Sequence, residues 1–375
     1  MKKFFAALII TIAVTGALAA QEFKVSGEIK TGFFWYDRWI GDHDHKGEGY
    51  VHNSEDDDEE QRLFNKTAKN QGRFRMNLWL DNGNTGMKVR FEQTEWSDTA
   101  MPKWSYAFAY GNFLNDQLKI SIGRLGDSPY GTGGPEMWKE LDTRIGIRTE
   151  ILPAIVPGLN AGFVLNDMSD QQSYYYLEPQ TIVDIFKETV LGLAYTHDFF
   201  ELRMAYRLDS EFDEDMGDKL IYRIEERALQ NILPGFQVWA NGSWEGLRHE
   251  DEKALWLINW LYIQYAPELF TAQLRLGYDA YSRRSVFYAR PSLYFNLFDN
   301  FLNAGASFEF AQDFGEGKYY KDSPYLRMVV EPQVRVNFSS AYVAMVYQYR
   351  NEYHTIGVGE TYKIHAVNLR VVYTF

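Results

Sequence analysis

Phe200-Glu201-Leu202-Arg203-Met204-Ala205-Tyr206-Arg207-Leu208 places bulky apolar residues at every second position, with charged or small ones between them. A period of two marks a β-strand with one apolar and one polar face. The same alternation returns at Phe270, Ala272, Leu274, Leu276 and Tyr278, with Thr271, Gln273, Arg275, Gly277 and Asp279 on the other side. It returns again at Leu302, Ala304, Ala306, Phe308 and Phe310, between which lie Asn303, Gly305, Ser307 and Glu309. In the last segment Val367, Leu369, Val371, Tyr373 and Phe375 share one face, while Asn368, Arg370 and Thr374 share the other and Val372 breaks the pattern.

Such segments recur from Phe23 to the end of the chain, and the connections between them alternate in length. Short ones lie at 81–84, 113–116, 151–157, 197–198, 230–234, 266–267, 298–299 and 339–340; long ones at 40–70, 126–142, 166–186, 209–218, 245–253 and 312–324. Short turns on one rim and long loops on the other predict an all-β fold, a transmembrane antiparallel up-and-down β-barrel. The alternation predicts about 18 strands, or 16 if the weaker segments near 171–196 and 219–230 drop out. An even number puts both ends of the chain on the short-turn rim. Closure follows from the solvent: an open edge in lipid leaves backbone groups unpaired. A soluble all-β protein shares the alternation but has no reason to alternate its loop lengths.

Composition agrees. The chain holds 26 Tyr, 26 Phe and 10 Trp at a mean hydropathy of −0.38. That balance suits strands with one face in lipid and one in water. There is no cysteine, which removes any disulfide framework. Acidic residues number 51 against 38 basic, an excess that argues against a nucleic-acid partner. Lys2 and Lys3 precede an apolar run from Phe4 to Val14 and the small-residue site Ala17-Leu18-Ala19. Residues 1–20 therefore read as an export signal peptide and 21–375 as the barrel, bound for the outer-membrane lipid.

The ending Leu369, Val371, Tyr373, Phe375 resembles the signal by which Gram-negative outer-membrane proteins engage their assembly machinery. Arg370 stands where that signal often has glycine. A second resemblance is to general and substrate-selective porins, and to porin-like proteins of spirochaetes. Leu118-Lys119-Ile120-Ser121-Ile122-Gly123-Arg124 is an alternating segment that runs into the Gly-rich stretch Leu125 to Trp138. In those porins the third long loop stands here and folds into the lumen. The resemblance implies that 126–142 is a constriction loop and that small polar solutes diffuse through. It also implies that a homotrimer forms and that no cofactor is needed.

Alternation selects the residues that would line such a lumen. Basic candidates are Arg73, Arg75, Arg90, Arg124, Arg203, Arg207, Arg275, Arg290 and Arg335, joined by Lys88, Lys119, Arg148, Arg327 and Arg370. Inward acids are Glu28, Glu92, Glu201, Glu309 and Glu331. Asp127, Glu136, Glu140 and Asp142 on the constriction loop would face the basic wall, and rings of charge set ion preference in a pore. Trp79, Tyr206, Tyr278, Tyr373 and Phe375 are expected in the outer aromatic girdles. Trp104, Tyr106, Phe108 and Tyr110 share one face by alternation, and lipid is the default for that face.

Two rivals start from other features. Acidic long loops, with 55–60 all Asp or Glu, suit a binding or adhesion barrel. Scattered His197, His249, His354 and His365 leave room for a barrel enzyme, although no nucleophile elbow is present. No metal-ligand spacing is recognisable around His43, His45 and His52.

Overall fold

The protein, seen in a computed structural model, is described over residues 22–42, 62–63, 73–93, 103–133, 141, 145–166, 189–208, 218–247, 256–281, 284–314, 325–354 and 360–375. The export segment 1–20, most of the acidic loop 40–70, and Glu136, Glu140 and Asp142 lie outside them.

The strands are β1 (Glu22–Asp42), β2 (Arg62–Leu63), β3 (Arg73–Asp81), β4 (Thr85–Gln93), β5 (Lys103–Phe113) and β6 (Leu118–Arg124). Next come β7 (Ile145–Ile151), β8 (Leu159–Asn166), β9 (Val190–Thr196), β10 (Phe200–Arg207), β11 (Lys219–Glu226), β12 (Phe236–Glu245) and β13 (Trp256–Tyr265). The last are β14 (Phe270–Tyr281), β15 (Arg284–Leu297), β16 (Leu302–Asp313), β17 (Tyr325–Asn337), β18 (Ala341–His354) and β19 (Glu360–Thr374). One short helix, α1 (Ala228–Ile232), caps the turn between β11 and β12. Each strand pairs antiparallel with its sequence neighbours, and β2 is a two-residue bridge onto Phe33 and Phe34 of β1. The ring closes because β1 pairs on both sides. Its Glu22–Lys30 half meets β3, and its Glu28–Asp42 half meets β19. The result is a closed antiparallel barrel of eighteen strands plus the bridge, which leaves no open edge.

Turn chemistry explains the short connections. At 81–85 the Asp81 and Asn82 carboxyl and amide oxygens accept the backbone N–H groups of Gly83 and Thr85, each at 2.7 Å. Between β5 and β6, residues Leu114, Asn115 and Asp116 are all left-handed, and Phe298, Asp299 and Asn300 repeat that turn between β15 and β16.

The two faces of the barrel differ as the alternation requires. Ile122, Ile147, Leu191, Ile224, Met345 and Leu369 are exposed on the outside. The other face carries ion pairs that run from strand to strand, such as Arg75–Glu92 at 2.7 Å and Arg327–Glu309 at 2.7 Å. Among the described residues, side chains two strands apart meet on this face, as Arg290 of β15 meets Glu331 of β17, so it is the concave side and the lumen.

Two expectations about aromatics are corrected. Trp79 shares the Arg75 and Asn77 face, and its indole N–H donates to the Tyr110 hydroxyl at 3.0 Å, so it belongs to the lumen and not to a girdle. The second correction has a local cause. Arg90 pairs with Tyr106, but the next residue, Phe91, pairs with Trp104, so Ser105 is an extra residue in β5. A bulge of this kind reverses the phase of alternation. Trp104 stays outside against Phe91, ring centroids 4.1 Å apart. Tyr106, Phe108 and Tyr110 turn inward and are buried.

Candidate functional site: a charged lumen with a seated loop

The inward aromatics of β5 form the seat for the segment after β6. Leu125 and Tyr130 are fully buried there, with Leu141, against Tyr106, Phe108, Tyr110, Val164, Val190 and Ile221. Polar contacts hold the same segment along its length. The Lys88 ammonium donates to the Asp127 carboxylate at 2.6 Å. Arg148 Nη1 donates to the Gly126 carbonyl at 3.3 Å. The Tyr130 hydroxyl donates to Asn160 Oδ1 at 2.9 Å, and Arg223 Nη1 donates to the carbonyls of Thr132 and Gly133 at 3.2 and 2.8 Å. Residues 125–133 thus touch β4, β5, β7, β8 and β11 from within the barrel. Burial works against the Asp127 charge, but the Lys88 hydrogen bond and the nearby Arg148 and Arg90 charges outweigh it and hold the carboxyl below its ordinary range.

Tyr130 fits because the wall beneath it has no side chains. Gly162 of β8 and Gly192 of β9 are cross-strand partners. A Cβ on Gly192 would lie 2.2 Å from the Tyr130 ring, and one on Gly162 would lie 2.5 Å from its hydroxyl oxygen. Beside this socket Glu150 receives Arg148 Nε at 3.2 Å and Asn160 Nδ2 at 2.9 Å, with Lys119 at 3.7 Å. Arg148 and Glu150 are both buried. A buried pair stripped of one partner costs about 3–5 kcal/mol, so this cluster fixes the loop base firmly.

Most lumen cations are matched by carboxylates on the same strand or within two strands of it. Arg203 and Arg227 share Glu201, Lys219 meets Glu245, and Arg223 meets Glu225 at 2.5 Å. Arg290 meets Glu331, and Arg350 meets Glu352. Aromatic rings flank many of the same cations. Arg90 lies over Tyr106 at 4.7 Å, Arg148 over Phe108 at 5.4 Å and Arg223 over Trp239 at 4.9 Å. Trp239 stacks on Tyr262 at 3.8 Å, and Arg275 lies over Tyr262 at 5.4 Å. Each such contact contributes about 0.5–2 kcal/mol and holds a guanidinium flat against the wall.

The candidate residues separate accordingly. Arg75, Arg90, Arg203, Arg207, Arg275, Arg290 and Arg335 lie in inward rows. Arg73 pairs with Lys30 in register. Arg124 pairs with Ala107 and Ile145, the row that carries the outward Ile122 and Ile147, after Gly123 at φ 133°. Register therefore sets its backbone in the outer row, although its Nε is buried. Tyr130, Asn160, Glu150, Trp239 and Tyr262 were not among the candidates. Only the Gly162/Gly192 pair, which register alone brings together, would have pointed to Tyr130. Of the histidines, His197 packs beside Tyr195, Phe199 and Phe200, and His365 Nδ1 meets the Tyr347 hydroxyl at 2.6 Å on the outer face. Among the described residues no group of His, Asp and Glu could hold a metal ion.

No protein-family model matches the chain, and no curated protein sequence does. Solved structures do. The outer-membrane channel DcaP of Acinetobacter baumannii is similar with a TM-score of 0.52 at 10% identity, over 94% of this chain and 97% of that one. OccAB4 of Acinetobacter baumannii is similar with a TM-score of 0.52 at 10% identity, over 95% and 98% of the two chains. The chain has the closed-barrel fold of these outer-membrane proteins.

Proposed function

We propose that the protein is an outer-membrane porin, a passive diffusion channel for small hydrophilic solutes and ions. One observation carries the reading: a closed eighteen-strand ring with apolar residues outside and a charged interior. So many charges require water, because a dry interior would impose a desolvation penalty of several kcal/mol per ion. In this reading the whole loop 126–142 narrows the passage from the β4–β11 side, and solutes pass between it and the wall formed by β12–β19. Short turns face the periplasm and long loops face outward. Residues 1–20 direct export and are removed. The homotrimer implied by the porin resemblance belongs to the same reading, as does the absence of catalysis.

Refolded protein in a planar bilayer under a salt gradient tests it. Stepwise conductance with a defined reversal potential is the expected result. Protein shown to be folded by heat-modifiable migration, yet silent in the bilayer, overturns the channel.

A further inference from the structure

The lumen is not uniformly neutralised. At the short-turn end of the open wall, Arg335 of β17 and Arg370 of β19 flank Ala344 of β18 in one cross-strand row. Neighbouring strands lie about 4.8 Å apart, so the two Cα atoms are separated by about 10 Å, within reach of one small anion held by two long side chains. Ala344 is buried beneath them. Neither arginine makes an ion pair among the described residues. Arg335 Nε donates to Asn337 Oδ1 at 2.5 Å, and its guanidinium lies over Tyr342 at 3.8 Å, which fixes its plane. Arg370 Nε and Asn368 Oδ1 are buried without hydrogen-bond partners. Lys30 is diagonal to Arg370 across the closing seam, since it pairs with Val372, but its ammonium is matched by the Glu28 carboxylate at 3.7 Å. The row continues through Asn303.

The nearest carboxylates along the strands are remote. Glu331 stands four residues from Arg335 on β17, and Glu28 lies opposite Thr374, four residues from Arg370. Four residues of strand span about 13 Å. That exceeds the screening length of about 8 Å at physiological ionic strength. The two guanidiniums are therefore a local excess of positive charge with amide groups around them, in a lumen where most other cations meet a carboxylate.

We propose that Arg335 and Arg370 form a binding station for a small doubly charged oxyanion at the periplasmic mouth of the lumen. Two guanidiniums with planar donor forks suit phosphate or carboxylate oxygens, and Asn368 and Asn303 supply further polar contacts. The proposal rests on the open-channel reading for its role in permeation, but the binding itself does not.

Inorganic phosphate is the probe, in two measurements on the full refolded chain and on R335Q/R370Q, with heat-modifiable migration confirming that both are folded. Calorimetric titration of protein in detergent should show saturable phosphate binding that weakens by about tenfold or more in the double variant. In the bilayer, phosphate should reduce the chloride current of the unaltered chain, and the double variant should lose that block and shift its reversal potential toward cations. Equal phosphate affinity in the two proteins, or no saturable binding in either, overturns the station. A silent bilayer with phosphate binding that depends on the two arginines removes the channel and keeps the station. A conducting bilayer indifferent to phosphate in both proteins removes the station and keeps the channel.

Discussion

Tyr130 is the residue on which the seated segment turns. Its ring is buried on two facing glycines and its hydroxyl is fixed by Asn160. Tyr130→Ala removes an aromatic anchor of a kind worth about 3–5 kcal/mol in a packed core, while every strand–strand hydrogen bond survives. Single-channel recording should show a larger, noisier conductance with heat-modifiability unchanged; an identical conductance refutes the anchoring role. Asp127 adds a pH dependence whose sign follows from its lowered pKa. The ion pair with Lys88 is present above the ordinary carboxylate value and is lost as pH falls through the lowered one. Current noise should stay flat from neutrality down to about pH 4 and rise only below it. Lys88→Ala should move that rise to higher pH. Little of this was legible beforehand. The inward arginines follow from period two and Asp127 from the loop that the porin resemblance implies, but Ser105 carries no mark of a bulge. One inserted residue was enough to turn Tyr106, Phe108 and Tyr110 from presumed lipid contacts into the seat of the loop.

At the scale of elements the alternation was a sound guide. Strand existence, strand count and the alternation of loop lengths depend on local periodicity and turn residues, and both are written in the chain. Register is different, because it depends on which distant residues meet. Arg124 shows this: read along its own segment it ends a charged strand, but its partners Ala107 and Ile145 assign it to the outer row. The seam is likewise a matter of register. Gly27 and Phe375 exchange two backbone hydrogen bonds, at 2.8 and 3.1 Å, and the Phe375 ring covers the glycine so closely that a Cβ there would lie 2.4 Å from it. The terminal aromatic thus has a structural seat as well as the recognition role that the assembly-signal resemblance implies. Gly27→Leu should therefore lower the yield of heat-modifiable barrel several-fold on refolding, with a smaller effect when Phe375→Ala is added. Equal yields for Gly27→Leu and the unaltered chain would show that the ring does not need that space.

The whole molecule has two unlike halves. On the β4–β11 side the interior is filled by residues 125–133 and their aromatic bed, and described strands β6 to β11 are only 7 or 8 residues long. On the other side β14 to β19 run for 12 to 15 residues and carry the unneutralised arginines. Overall acidity, legible at once in the composition, says nothing of this division, because the charge that matters to a permeating ion is sorted by face and by height. The closing seam has a consequence of a different kind. Because the last residue is bonded to the sixth described one, the barrel is in effect a ring written as a line, and its starting point is arbitrary. Glu22 lies about 17 Å along β1 from Gly27. A bridge of roughly five residues from Phe375 back to Glu22 would complete the circle. New ends cut at Phe298 to Asn300 would then leave every strand pair intact, giving a rearranged gene for an unchanged barrel.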